Sequence, residues 1–271
     1  MAGNKIIAID LGGTNLRVAL IKDNKILEYI KKSTPKTKAL LIQEMQKSIS
    51  QLMSKDVKGI GIGAPGPLEK GIIRNPPNIP LKNYNLVREL EKKFRKKVVL
   101  ENDVHCVALA ESKLGCRKKN FIVFALGTGV GGGIVINGDV YNGRGFAGEL
   151  GHIVLNNGEY LETLWKKARE MIKQNFGKEI LVKDLIKMNN PQANMIVEHI
   201  IHYLGEGIGS IVNILDPEIV ILNGGIKETG QNFLNRIKKQ AKKYIIFPRD
   251  TLITWSKLEH PGVLGASLLI K

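Results

Sequence analysis

The feature that most constrains this chain is a strand–glycine turn–strand order that occurs twice. In the first copy, Ile6-Ile7-Ala8-Ile9-Asp10-Leu11 runs into Gly12-Gly13-Thr14 and on through Leu16 to Ile21. In the second, 115 residues later, Phe121-Ile122-Val123-Phe124-Ala125-Leu126 runs into Gly127-Thr128-Gly129 and on to Ile134-Val135-Ile136. The apolar, β-branched runs read as buried strands. Glycine lets backbone N–H groups crowd against a bulky anion, and the threonines add a hydroxyl donor. Each turn joins strand to strand, whereas dinucleotide and P-loop fingerprints need a helix after the glycines. Either turn alone is an ordinary hairpin; the pair points to two facing half-domains that offer backbone nests to a polyphosphate. Asp10 has no counterpart, because Ala125 stands at the matching place.

Other candidate residues lie between and after these turns. Lys36 to Met53 has helical spacing, and Gly59 to Gly63 is a short strand ending in Ala64-Pro65-Gly66-Pro67, a rigid turn. Asn75-Pro76-Pro77-Asn78-Ile79-Pro80 is no regular element, since its prolines remove backbone donors. It is either a stiff surface loop or one whose Asn78 amide meets a hydroxyl. Val98-Val99-Leu100 leads into Glu101-Asn102-Asp103 and a helix, where Asp103 is either an N-cap or a carboxylate reaching a cleft. Glu149 and His152, three apart after a glycine loop, suit a polyol. A helix begins near Pro191, followed by the strand Ile219–Leu222 and the turn Asn223-Gly224-Gly225, where a flat base can approach the backbone. His199 and His202 with Glu198 form a loose trio that fits a helix surface or a dimer contact.

These motifs, in this order, resemble those of the ROK family, the sugar kinases and related repressors within the actin-like ATPase superfamily. The segments that carry the likeness are Asp10-x-Gly-Gly-Thr-x-x-Arg17, Glu101-Asn102-Asp103, Gly127-Thr128-Gly129-x-Gly131-Gly132-Gly133 and Glu149-x-Gly-His152. The resemblance implies an α/β, two-domain actin-like (ribonuclease H-like) fold with a cleft between the domains. Residues 1–107 plus 259–271 would form the small domain and 108–258 the large one. It implies an ATP-dependent kinase acting on the 6-hydroxyl of a hexose, glucose first, with N-acetylmannosamine or fructose as alternatives. Asp103 would be the general base. Gly66, Asn78, Asn102, Glu149, His152 and Glu162 would hold the sugar. Asp10, Gly12, Gly13, Thr14, Asn15, Arg17, Gly127, Thr128, Gly129, Gly131, Gly224 and Gly225 would hold ATP, with Asp10 holding Mg²⁺ through water.

The chain departs from the family in one place. The usual pattern after the histidine, Cys-x-Cys-Gly-x-x-Gly-Cys-x-Glu, binds structural zinc, but here Ile153 to Glu162 contains no cysteine. Zinc needs about four N/S ligands, so the metal is expected to be absent. Glu162 would match the closing glutamate; its plain alternative is a solvated carboxylate in a helix's first turn.

Composition narrows the setting. At 271 residues and 43% hydrophobic, the chain can bury two modest cores. The charge of +16 invites nucleic acid, but the lysine pairs are scattered and aromatics do not interleave with them, so a basic surface that attracts anionic nucleotide is favoured. No apolar run spans a bilayer, and the first strand begins too early for a signal peptide, so a cytoplasmic enzyme is expected. Two cysteines give no disulfide framework. Expected partners are the sugar and nucleotide, with no nucleic acid or membrane, and the resemblance makes a homodimer the default. A sugar-responsive regulator is the alternative class; family repressors carry a DNA-binding winged helix before the core, and here the core strand starts within the first few residues, so a kinase is expected.

Overall fold

A computed structural model describes residues 4–76, 78–155 and 158–271. The chain divides into two compact units: residues 1–117, 143–146 and 258–271, and residues 118–142 and 147–257. The expected boundary at 107/108 falls inside a continuous helix, Asp103–Lys113, which keeps the first unit together as far as Arg117.

The first unit is built on a mixed five-stranded sheet, in the order β3-β2-β1-β4-β8. Strands β1 (Lys5–Leu11), β2 (Asn15–Lys22) and β3 (Lys25–Ser33) are an antiparallel meander. Helix α1 (Lys38–Leu52) then crosses to β4 (Val57–Ala64), which lies parallel to β1. Short strands β5 (Leu68–Glu69), β6 (Ile72–Ile73) and β7 (Tyr84–Asn85) form a separate small sheet. Helix α2 (Leu86–Phe94), β8 (Lys97–Asn102) and α3 (Asp103–Lys113) follow, with β8 parallel to β4. The sequence reading missed β3, whose mostly exposed edge position leaves no clean alternation to detect.

One core of this unit joins Ile7, Ile9, Val18, Ile60 and Ile62 to the α1 residues Leu41, Met45 and Ile49. The other joins Ala8, Ala19 and Ile21 to Cys106 and Ala110 of α3 and to Val263 and Ala266 of helix Pro261–Ser267. Small residues make the second contact possible. A Cβ on Gly61 would lie 1.8 Å from the Ala266 carbonyl oxygen, and one on Gly265 would lie 1.7 Å from that of Cys106.

The second unit carries the sheet β11-β10-β9-β12-β13. Strands β9 (Phe121–Leu126) and β10 (Val130–Ile136) form the second glycine hairpin, and β11 (Asp139–Val140) extends it. After α4 (Leu161–Phe176) and α5 (Val182–Leu185), Pro191 opens α6 (Pro191–Leu215), its first turn capped by the Asn190 side chain. Strand β12 (Ile219–Asn223) pairs parallel with β9, and after α7 (Gln231–Lys242) strand β13 (Leu252–Trp255) pairs parallel with β12. The apolar face of α6, including Ile196, Ile200, Leu204, Ile208 and Val212, packs with Phe124, Val220 and Leu222 of the sheet and Phe233 and Ile237 of α7. Each fully buried aliphatic side chain contributes about 1.5–3 kcal/mol.

Candidate active site

In the first unit, the parallel ladder sets out the functional residues along one end of the sheet. Asp10 lies beside Gly63, Gly63 beside Glu101, and Ala64 beside Asn102. Asp103 follows directly, so about two inter-strand spacings of ~4.8 Å separate the strands that carry the two aspartates. Asp10 faces Arg17 across the hairpin, and Arg17 Nη1 donates to its Oδ2 at 2.9 Å. Burial pushes the Asp10 carboxyl above its ordinary value, with Arg17 and then His260 opposing the rise. Helix Pro261–Ser267 starts hard against this carboxylate, where a Cβ on Gly262 would fall 2.7 Å from Asp10 Cγ. His260 stacks on Tyr29, ring centroids 4.3 Å apart.

The first glycine turn is held through its carbonyls. Thr34 Oγ1 donates to Gly12 O at 2.6 Å, Lys36 Nζ donates to Gly13 O at 3.1 Å, and the Thr34 N–H donates to Thr14 O. Gly12 N–H is used by Asn15 O, while the Gly13 N–H has no acceptor among the described residues. Asn78 lies over this turn, 2.7 Å from where a Gly13 Cβ would be. Gly66, at φ 92°, packs equally tightly on Pro76. The structure thus gathers Gly12, Gly13, Thr14, Asn15 and Asn78, and seats Gly66 against the same proline loop. Pro77 of that loop lies outside the described residues.

Sequence alone left Asp103 divided between helix cap and cleft carboxylate. The cap is Asn102, whose Oδ1 accepts from the N–H groups of Val104 and His105 at 2.9 and 3.1 Å. Asp103 is the first helical residue, with Oδ1 3.0 Å from the Val104 N–H. Glu101 braces the junction: its Oε1 accepts from the Asn102 N–H at 2.8 Å and lies 3.2 Å from Nδ1 of buried His105. Burial raises the Glu101 carboxyl, but the His105 and Asn102 hydrogen bonds outweigh it and hold the group below its ordinary value. His105 was missed from sequence; its only signal was the i,i+4 spacing to Glu101.

In the second unit, Gly127–Gly129 is the turn, closed by the Gly127 N–H donating to Gly129 O. Trp165 Nε1 donates to Gly127 O at 3.1 Å and Arg169 Nη1 to Thr128 O at 2.8 Å. Gly131, expected among the residues that hold ATP, lies within β10 opposite Ala125. The extra glycines there serve packing: a Cβ on Gly132 would lie 2.2 Å from Leu150 Cγ and 2.4 Å from Gly148 O. Asn223 pairs with Ala125, so Gly224 and Gly225 emerge beside this turn, and a Cβ on Gly224 would lie 2.2 Å from Leu126 O.

Glu162 closes this arrangement in the first turn of α4. Its carboxylate lies 3.1 Å from where a Gly129 Cβ would be and 3.3 Å from where a Gly151 Cβ would be. It is also paired with Lys166 at 2.5 Å, with only 18% of its side chain exposed. The alternative of a solvated carboxylate does not fit that position. Glu149 Oε2 and His152 Nδ1 stand 3.5 Å apart, both well exposed, and the imidazole tilts against Tyr160. Glu162, Glu149 and His152 therefore share one short loop-and-helix neighbourhood with the turn.

Mg²⁺ keeps several waters and takes one or two carboxylates plus phosphates. Asp10 fits this role, since Arg17 is bonded to one of its oxygens and a fifth of the side chain stays open. Among the described residues no group of three or more His, Cys, Asp or Glu is placed to hold a metal ion, and no helix is long and apolar enough to cross a membrane. Asn156 and Asn157, within the segment that replaces the cysteine pattern, lie outside the described residues.

Comparison with known proteins shows the family and the fold. Residues 6–271 match the ROK family model. A glucokinase of Thermotoga maritima is 31% identical over 98% of this chain and 97% of its own length. Among solved structures, a ROK hexokinase from Thermus thermophilus superposes with a TM-score of 0.83 at 27% identity, covering 98% of this chain and 97% of that one. A ROK glucokinase from Streptomyces griseus, solved with glucose and AMPPNP, shares the fold at a TM-score of 0.86 and 24% identity, covering 98% and 99% of the two chains. The α/β architecture of two mixed sheets is that of the actin-like ROK kinases, and the chain belongs to the ROK family.

Proposed function

We propose that this ROK enzyme, an ATP-dependent sugar kinase, transfers the γ-phosphoryl group of ATP to the 6-hydroxyl of a hexose, with glucose the preferred acceptor. The observation that carries the reading is the junction after β8. Asn102 caps the helix there and Asp103 is its first residue, at the end of the strand that runs parallel to the one next to Asp10. Asp103 orients the primary hydroxyl and accepts its proton as the phosphoryl group departs from ATP. Phosphoryl transfer runs through a loose transition state, so positioning matters more than base strength. The amide nitrogens of Asn102 and Asn78 donate to neighbouring hydroxyls, and Gly66 keeps the proline loop close. In the second unit Glu149, His152 and Glu162 hold the remaining hydroxyls.

For the nucleotide, the first unit offers Gly12, Gly13, Thr14, Asn15 and Arg17, and the second offers Gly127, Thr128 and Gly129. Gly224 and Gly225 give the flat backbone that a base requires. Gly131 contributes through the strand that carries the turn. Mg²⁺, when bound near Asp10, supplies charge neutralisation on the phosphates. Asp103→Asn is expected to keep sugar binding and lose kcat by about 10²–10⁴-fold. Near-normal turnover in a coupled ADP-release assay refutes the role. The same assay over glucose, mannose, fructose, N-acetylmannosamine and N-acetylglucosamine tests the preference; a higher kcat/KM for any sugar other than glucose overturns it.

A further inference from the structure

The end of the first sheet opposite Asp10 gathers several lysines around a surface hollow. It comprises the starts of β1, β4 and β8 and the end of β2, where Lys5 pairs with Lys22 and Gly59 with Lys97. From Lys5 to Asp10 along β1 is roughly 17 Å at ~3.3 Å per residue. Two adjoining cavities of about 380 and 320 Å³ open here, sharing Asn4 and Lys58 in their linings. Lys22, Lys55 and Lys96 line the larger and Lys97 the smaller.

The carboxylate in these linings is already engaged. Asp56 accepts from Ser54 at 2.5 Å and pairs with Lys5 at 3.0 Å, and these two contacts pull its carboxyl down to about 2. Lys96 is pinned, its Nζ donating to Val57 O at 2.6 Å, so it is a fixed ammonium at the cavity wall. Lys22, Lys55, Lys58 and Lys97 have no carboxylate within ion-pair distance among the described residues. Some lysines of the chain are neutralised, since Lys118, Lys166, Lys167, Lys183 and Lys242 each stand against a glutamate or aspartate. Several unpaired ammoniums around one hollow repel one another unless an anion joins them.

We propose that this hollow is a binding site for an oligophosphate, a chain of three or more linked phosphate groups, separate from the kinase centre. Compact ammonium heads on flexible stems suit phosphate oxygens, which need no planar fork. Among the described residues the linings hold no aromatic ring on which a base could stack, and this disfavours a nucleic-acid strand. The cavities match a small, densely charged ligand. The site does not depend on the sugar-kinase reading, because its test is binding and not turnover.

The test is calorimetric titration of the full chain with inorganic tripolyphosphate at low salt. In Lys22→Gln/Lys58→Gln/Lys97→Gln, affinity is expected to fall about tenfold or more, and the corresponding triple arginine variant is expected to retain it. These lysines lie at strand ends on the surface, and matched thermal melts verify that each variant folds. Asp10→Asn, which perturbs the kinase centre, is expected to keep the binding. Equal affinity in the glutamine variant and the unaltered chain overturns the proposal. So does loss of binding in Asp10→Asn alone, which would put tripolyphosphate at the kinase centre. A short DNA duplex that binds more tightly than tripolyphosphate, and with the same lysine dependence, overturns it in favour of a nucleic-acid surface.

Discussion

The two glycine turns are built alike and charged differently. In each, side-chain donors from a later segment take the carbonyls: Thr34 and Lys36 at the first turn, Trp165 and Arg169 at the second. Holding the carbonyls fixes the peptide planes of a flexible glycine turn, which is what an anion nest requires. At the position just before the turns they part. Asp10 faces Arg17 in the first hairpin, whereas Ala125 faces Gly131 in the second. An ion pair on the hairpin's own strands thus lies beside the first turn, whereas the charges at the second turn, Arg169 and Glu162, come from α4.

The largest expected effect tests that asymmetry directly. Asp10→Ala should lower kcat/KM for ATP by about 10²–10³-fold, the scale for losing one electrostatic contact to a reacting group. Ala125→Gly, at the matching position, should stay within a few fold. Steady-state kinetics on both variants decides it, and comparable losses would mean that the two turns are not differently charged in function. A smaller effect tests their likeness. Thr34→Val removes the hydroxyl from Gly12 O, and Trp165→Phe removes the indole donor from Gly127 O. One lost neutral hydrogen bond is worth about 1 kcal/mol, so KM for ATP should rise about fivefold in each. A rise in only one variant would show that the other turn does not contact the nucleotide.

Much of this was legible in the sequence because it rests on chain order and periodicity. Both hairpins, α1, α6, β12 and the strand-to-helix junction at Asp103 follow from apolar spacing and the position of glycine or proline. What sequence did not show depends on which atom ends up beside which. That Asn102 caps α3, that Gly131 is strand and not turn, and that Gly262 gives room to Asp10 are matters of sub-ångström approach between segments far apart in the chain. Glu162 is the instructive case. Its neighbours Gly129 and Gly151 come from two different segments, and no spacing rule relates them to it.

The asymmetry also predicts opposite pH responses from two carboxylates of the first unit. Burial raises the Asp10 carboxyl above its unfolded value of 3.8, so the folded state holds its proton to higher pH. Stability contributed by that proton is fully present below 3.8 and is lost as pH rises through the folded value. Asp10→Asn should therefore melt higher than the unaltered chain near neutral pH, by roughly 2–4 °C for each 1 kcal/mol gained, and the gain should vanish in acid. With Asp10 in its proposed role, activity and stability are opposed at this residue, and Ala125 at the matching place of the second unit carries no such cost.

Glu101 runs the other way and with the smallest expected effect. Its folded value lies below the unfolded 4.5 because the His105 and Asn102 hydrogen bonds favour the charged form against burial. Its contribution is present above 4.5 and is lost as pH falls through the lower folded value. Glu101→Gln should melt slightly lower than the unaltered chain at pH 7 and converge with it in acid, because the unaltered chain has by then lost the same support. With Glu101 bracing the residues that flank Asp103, the variant should also lower kcat more than it raises KM for sugar. A change in KM alone would mean that the brace supports binding and not the alignment of Asp103.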